Sequence, residues 1–586
     1  MIANSDHRLH PTRALACAAA PLVVAGLAFC FYLPGLARFP LPGDSSLYVT
    51  RSCHLWVNSY AQTHSLYLLA GHVAVNALPW LRPPFVLALM SAAFAAAALG
   101  FVYATIRRIT GGSAGAVAGT AALAVSHTFW FHAEFAEVYS LNALFMTAML
   151  YCAVRWWEAA LSVRDLGPSG RGSPSHIGAE PLGDVGSPGE CRFLCLMAFL
   201  GGLGCANHPL AGVSLAVCGI WAAVLSFRHR RPVAHLLAAG VAGLAGLSLL
   251  LVLLARDAQI LGWAKAVQMA LFGGGGIRGD KLILYSGDMG RLFGAAGLKQ
   301  VMLSVGALGY NFAGVLAWFA GGLVVRRLRR GEAPPCADGQ AADDLPPPAH
   351  DPRPTTHGDP GENLAPAIPR KAVVALLFCL FGVHFAFGAT YTIHEGWAFL
   401  LPAWVALACL WGIVLDRRAA ARAVPGFCRR TWGLVTCIVA VPVVLYAIAP
   451  WGVVKLAGQR LEAKAAPHYM LTPKQYLSYY LWPPKSAAGG RAVWLESVLN
   501  DLPEGATLLL SPANHAMAHY YRQVERRRPD LVVRGVSKAV LSDALVQNQT
   551  VFVDRLNEVE MLGHEGSNLR TRQTCGLWAV EREASP

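Results

Sequence analysis

"PFVLALMSAAFAAAALGFVYATIRR", residues 84–108, holds no charged side chain until Arg107 and Arg108. Wound as a helix at about 1.5 Å per residue, a run of this length crosses a hydrocarbon core of about 30 Å. The paired arginines stop it where the cytoplasmic side of a membrane begins. Comparable runs recur at about 14–36, 113–130, 138–156, 233–254, 301–325 and 431–450, with two more flanking 205–209 and two flanking 391–397. The sequence therefore predicts about eleven transmembrane helices in a polytopic α-helical membrane protein. Composition agrees: of 586 residues 55% are hydrophobic and only 14% charged, with a mean hydropathy of +0.42.

The first run follows "MIANSDHRLHPTR" and could be taken for a signal peptide. It is long for the apolar core of one and ends on prolines instead of small residues, which reads as a retained first span. The net charge of +14 sits in short loops between apolar runs: "IRRI" at 106–109, "RHRR" at 228–231, "RRLRRGE" at 326–332 and "DRRAAARAVPGFCRR" at 416–430. Such placement marks cytoplasmic loops and excludes nucleic acid as the partner of that charge. The orientation that puts these loops inside has a cytoplasmic N-terminus and an external C-terminus. Most of the fourteen cysteines lie singly in apolar runs, as small buried hydrophobes do. Cys53 and Cys575 face the outer side in this threading and could pair there; Cys191 and Cys195 stand one helical turn apart.

Residues 1–454 form the transmembrane domain, with an outer amphipathic segment at 45–82 and cytoplasmic linkers at 158–190 and 331–369, both rich in Gly and Pro. Residues 455–586 read as an extracytoplasmic α/β domain: "EGATLLLSPANHAMAHYYRQVERRRPDLVVRG", 504–535, suggests a strand at 506–511, a helix near 514–527 stopped by Pro529, and a strand at 531–534.

This threading brings scarce polar residues to one outer face: Asp44, Glu134, Glu137, Asn207, His208, His394 and Glu395. Glu134 and Glu137, if helical from about 133, share one side behind an aromatic rim; the plainer reading is an interfacial belt with solvated glutamates. Asn207 and His208 precede Pro209, where a regular helix cannot continue; they either line a cavity or mark a structural kink. His394 and Glu395 could hold a divalent metal with Asp44, bind phosphate and sugar hydroxyls, or sit in a simple hairpin, and no spacing among them forces a metal set. A carboxylate at the membrane edge can take the proton of an acceptor hydroxyl while a lipid-linked donor enters from the bilayer. His208, His394, Lys265, Arg278 and Lys281 are candidates to meet its phosphate.

The ordered motifs "PGDSSLYV" (42–49), "FWFHAEFAEVYSLNALF" (129–145), "GLGCANHPL" (202–210), "YTIHEGWAFLLP" (391–402) and "YLWPPKSAAGG" (480–490) resemble a broadly distributed family of polytopic proteins long known only as a domain of unknown function. That family is similar to the GT-C glycosyltransferases, and its eukaryotic branch includes a protein O-mannosyltransferase. The resemblance implies a GT-C-like fold and an inverting transfer of a sugar from a polyprenyl-phosphate donor to a hydroxyl of a protein, lipid or surface glycan. It maps the acidic catalytic residue of the first outer loop onto Asp44, the "AEVY" glutamate onto Glu137, and the "NH" pair onto Asn207 and His208. Relatives with two adjacent acids in that loop differ from the "DSS" here, where Ser45 stands in the second place. His394 and Glu395 occupy the polar position between later spans. A bacterial inner membrane is the expected location. A non-catalytic assembly factor for surface glycans would keep the same scaffold, and a lipid or sugar transporter would share its many spans, although no internal repeat supports transport.

Overall fold

The computed structural model describes residues 11–61, 63–162, 188–272, 276–278, 281–284, 287–288, 295–331, 370–390, 396–420, 427–457, 473–547, 550–554, 569–574 and 577–582. The opening stretch forms one of a series of helices: α1 (Pro11–Tyr32), α2 (Asp44–His54), α3 (Ser65–Ala77), α4 (Pro83–Thr110), α5 (Ala114–Ala124), α6 (His127–Ala133), α7 (Tyr139–Ser162), α8 (Pro188–Cys205), α9 (Pro209–Arg228), α10 (Val233–Leu261) and α11 (Trp263–Phe272). Short antiparallel strands β1 (Gly276–Arg278), β2 (Lys281–Leu284) and β3 (Gly287–Asp288) lead to α12 (Ala295–Asn311), α13 (Ala313–Gly331), α14 (Arg370–Thr390), α15 (Leu401–Ala420) and α16 (Phe427–Ala457). In α4 the prolines sit in the first turn, where no amide hydrogen is needed, and Gly111 closes the helix with its amide on the Arg107 carbonyl at 2.7 Å.

Helices occupy the expected positions, but the count differs. Among the described residues six are long and apolar enough to cross a membrane, or seven if α12 and α13, bent by 75° at their junction, make one broken span. The third expected span shows the reason. α5 has 11 residues, about half the hydrocarbon thickness, and gives way at Val125–Ser126 to the fully buried, 7-residue α6. Burial also ranks the helices: 83% of the apolar window of α15 and 61% of that of α4 are buried, against 17% for α10 and α16. Thus α4 and α15 form the centre, while α10 and α16 keep their apolar surface on the outside.

The C-terminal region contains α17 (Pro473–Leu481), α18 (Gly490–Asp501), β4 (Thr507–Leu510), α19 (Pro512–Gln523), β5 (Val532–Gly535), α20 (Lys538–Val546), β6 (Val551–Val553), β7 (Leu569–Thr574) and β8 (Leu577–Arg582). Its sheet has the order β5-β4-β6-β8-β7, with β5, β4 and β6 parallel and the last two strands antiparallel. The all-apolar run Leu508–Leu510 suits an interior strand covered on both faces. The expected helix stops at Gln523, six residues before Pro529, and both strands lie within a residue of expectation.

One face of this sheet has a core of its own, built from Leu509, Leu541, Leu545, Val551, Val553 and Val580, whereas the other face packs on the outer helices. One hydrophobic cluster runs from Tyr48, Val49, Tyr67 and Leu68 into Leu495, Leu508, Met517 and Tyr520. Polar contacts reinforce it: the Gly43 amide donates to the Ala513 carbonyl at 3.3 Å, and the Lys485 amide to the Gly35 carbonyl at 2.7 Å. At the carboxyl end of β6, Asp554 accepts hydrogen bonds from the Ser511 amide (2.8 Å), the Ser511 hydroxyl (2.7 Å) and Asn514 Nδ2 (2.6 Å). That fastens the first turn of α19 beside the loop leading to Asp44.

Candidate active site

The loop before α2 turns at Gly43, whose φ of +79° lies where side chains are strained. Asp44 follows as the first residue of α2, a favourable place for a carboxylate because the helix dipole is positive there. At about 3.6 residues per turn, Asp44, Tyr48 and Arg51 (i, i+4, i+7) share one face of α2. Asp44 is exposed at the surface, with protein crowded around its base. That crowding pushes its carboxyl above the usual carboxylate range, with the Arg51 charge opposing the shift. Arg51 is half-buried and makes no ion pair among the described residues.

Glu137 comes from the turn between α6 and α7. Its carboxylate is buried and accepts from the Val138 amide at 3.1 Å, while its backbone is tied to Ser91, which also meets the Tyr67 hydroxyl at 3.0 Å. The buried Tyr48 phenol feels both Asp44 and Glu137; its pKa is raised first by burial and then by those two charges. Asn207 joins this turn through Nδ2, which donates to the Val138 carbonyl at 3.2 Å, whereas its buried Oδ1 has no partner. His208 caps α9 by accepting the Leu210 amide at Nδ1 (3.1 Å) and stacks on His64, with ring centroids 5.0 Å apart. Tyr139 lies 5.4 Å from His208 and 4.7 Å from His132, and Tyr48 meets His64 edge-on at 5.6 Å. Asp44, Glu137, Asn207 and His208 therefore line one region, around Tyr48 and Tyr139.

Glu134 does not join them. The helix expected from about 133 starts only at Tyr139, so the chain between the two glutamates is a turn and their side chains diverge. Glu134 Oε1 accepts from Trp130 Nε1 at 2.7 Å, its backbone carbonyl accepts from the Ala37 amide at 2.8 Å, and its side chain is wholly buried against Gly35. Lys485 lies nearby, its ammonium 4.0 Å over the Phe131 ring and 2.8 Å from the carbonyls of Tyr479 and Trp482. His394, Glu395 and Cys575 lie outside the described residues, as does most of both expected cytoplasmic linkers. Lys265 is exposed and near Gln268, 3.4 Å away, on α11. Cys191 and Cys195 approach to 3.7 Å. Among the described residues no three His, Cys, Asp or Glu side chains converge as a metal site would need.

Tyr48, Arg51, His64 and Lys485 were missed in the sequence, and Tyr139 was expected only as part of the aromatic rim. The first two were legible in the 44, 48, 51 spacing; His64 and Lys485 carry no local signal of their partners.

Residues 44–233, the stretch from α2 through α9, match the family described as the N-terminal domain of protein O-mannosyl-transferase TMEM260. Over 149 residues the chain is 28% identical to "Protein O-mannosyl-transferase TMEM260" of Mus musculus, a match covering 25% of this chain and 21% of that protein. The chain thus spans about a fifth of the length of the curated relative it matches. ArnT from Cupriavidus metallidurans in the apo state superposes with a TM-score of 0.51 at 13% identity, covering 97% of this chain and 98% of that one, and shares the fold. The structure of ArnT bound to undecaprenyl phosphate gives 0.47 at 12% identity over 97% of each chain.

Proposed function

We propose that this protein is a GT-C-type glycosyltransferase that moves a sugar from a polyprenyl-phosphate donor to an acceptor hydroxyl at the extracytoplasmic face of a bacterial inner membrane. Asp44 is the base. The observation that carries the reading is the face of α2: an accessible carboxylate, a buried phenol one turn on, and a cation without an ion pair among the described residues one turn further. Asp44 takes the acceptor's proton, and the acceptor oxygen attacks the anomeric carbon. The carbon–oxygen bond to phosphate breaks, and the polyprenyl phosphate leaves with the bonding electrons. Arg51 meets the negative charge that develops on it. One displacement inverts the anomeric centre. Glu137 and Asn207 position the reactants from the opposite wall. Glu134 braces the loop from Gly35 to Ala37 and is no longer assigned to substrate. The name of the murine relative favours a protein hydroxyl as acceptor.

Asp44→Asn keeps size and removes the base. Turnover should fall by about 10² to 10⁴ while donor affinity is retained. Near-normal turnover of purified Asp44→Asn protein with a lipid-linked sugar removes Asp44 from the mechanism.

A further inference from the structure

His64 and His208 are stacked with their planes 15° apart, and their hydrogen bonds assign the proton on each ring. The Asn207 carbonyl lies 2.6 Å from His64 Nδ1, and a carbonyl only accepts, so Nδ1 carries hydrogen. In the neutral ring Nε2 is then a bare acceptor. Burial supports neutrality, holding His64 down at about 4, with Arg51 acting in the same direction and the Asn207 bond against it. His208 is the reverse. Its Nδ1 accepts from the Leu210 amide, so its hydrogen is on Nε2, a donor. Neither Nε2 has a hydrogen-bond partner among the described residues.

The backbone holds this arrangement in place. His64 has a φ of +55°, unusual for a residue other than glycine, and lines a small pocket with Asn58, Ser65, Ala206 and Asn207. One acceptor stacked on one donor matches a hydroxyl, which gives one hydrogen bond and takes another. A phosphate, which only accepts when ionised, would set its lone pairs against that of His64.

We propose that the His64–His208 stack is the subsite that binds a hydroxyl of the transferred sugar, His64 Nε2 accepting from it and His208 Nε2 donating to it. The assignment rests on the transferase reading above and names the group that reads the sugar, as distinct from its phosphate.

Asparagine separates the two jobs of each histidine. In His64→Asn the amide nitrogen still reaches the Asn207 carbonyl and the residue tolerates left-handed backbone, but the outer nitrogen is gone. In His208→Asn the side-chain oxygen still caps α9, and the donor is gone. The full-length protein in detergent is titrated with sugar-free polyprenyl phosphate and with the tightest-binding lipid from a panel of polyprenyl-phosphate hexoses and pentoses. Each variant should bind the sugar-bearing lipid about 3- to 10-fold more weakly, the loss of one hydrogen bond, with sugar-free lipid unchanged. If one variant fails to fold, the other decides. Equal losses on both lipids, or none on either, overturn the subsite while leaving the transferase reading standing. A wild-type protein that binds neither lipid overturns both.

Discussion

A base has to be ionised to act, and the surroundings of Asp44 make ionisation harder. Because its folded-state pKa is raised above the ordinary carboxylate value of about 4, the folded protein holds the proton across the interval between the two. Activity that needs the carboxylate should rise with pH through the raised value, and the acid limb of the kcat/KM profile should lie above about 4. Over that same interval Asp44 makes folding less favourable as pH rises, so Asp44→Asn should not lower the melting temperature. An acid limb at the ordinary value would mean that Asp44 titrates as if in open water. Gly35 supplies a second test: an added Cβ would lie 2.6 Å from Glu134 Cδ, so Gly35→Ala should cost about 1–3 kcal/mol, read as a drop in melting temperature. At this scale the sequence revealed single residues better than their company. Asp44 stood out after Pro42 and Gly43, and Asn207 and His208 stood out before Pro209. The divergence of Glu134 and Glu137 was hidden, because a spacing of three puts two carboxylates together only if the chain between them is helical.

Elements were more legible than their capacity to span. Apolar runs ending in arginine located α4 and α9 to within a few residues, and the arginines before 233 marked the start of α10, which runs seven residues past its expected end at 254. The same hydropathy could not distinguish a full crossing from α5 and α6, where a buried break divides the run. Periodicity does not record whether apolar surface meets lipid or protein. The basic loops still make a prediction about sidedness. In a background freed of other reactive cysteines, an impermeant thiol reagent added outside should label Glu504→Cys, on the exposed turn before β4, and should miss Cys336 in the 331–369 stretch. Labelling of Cys336 from outside in sealed, oriented vesicles would reverse the topology.

At the scale of the whole molecule, composition marks a boundary near 455 that packing on one face of the C-terminal sheet crosses. Residues after 455 did read as strand, helix and strand; one face of their sheet closes on its own helix α20, while the other continues into α2 and α3. Long-range packing of this kind leaves no trace in a local pattern. Deleting 473–582 should therefore disable transfer altogether, beyond altering the choice of acceptor, because it removes the Ala513 and Lys485 contacts that hold both ends of the loop from Gly35 to Gly43. A truncated protein that still turned over donor at the full-length rate would show that the loop stands alone. Joint ownership of the shared face has a consequence for how such proteins diversify. A tail borrowed from a relative would arrive without the Tyr48, Val49, Tyr67 and Leu68 surface against which its own Leu508 and Met517 are fitted. The heritable cassette is thus discontinuous: the segment from Gly35 to Leu68 must travel with the tail, and recombination at a single junction near residue 455 would separate two halves that fit only each other.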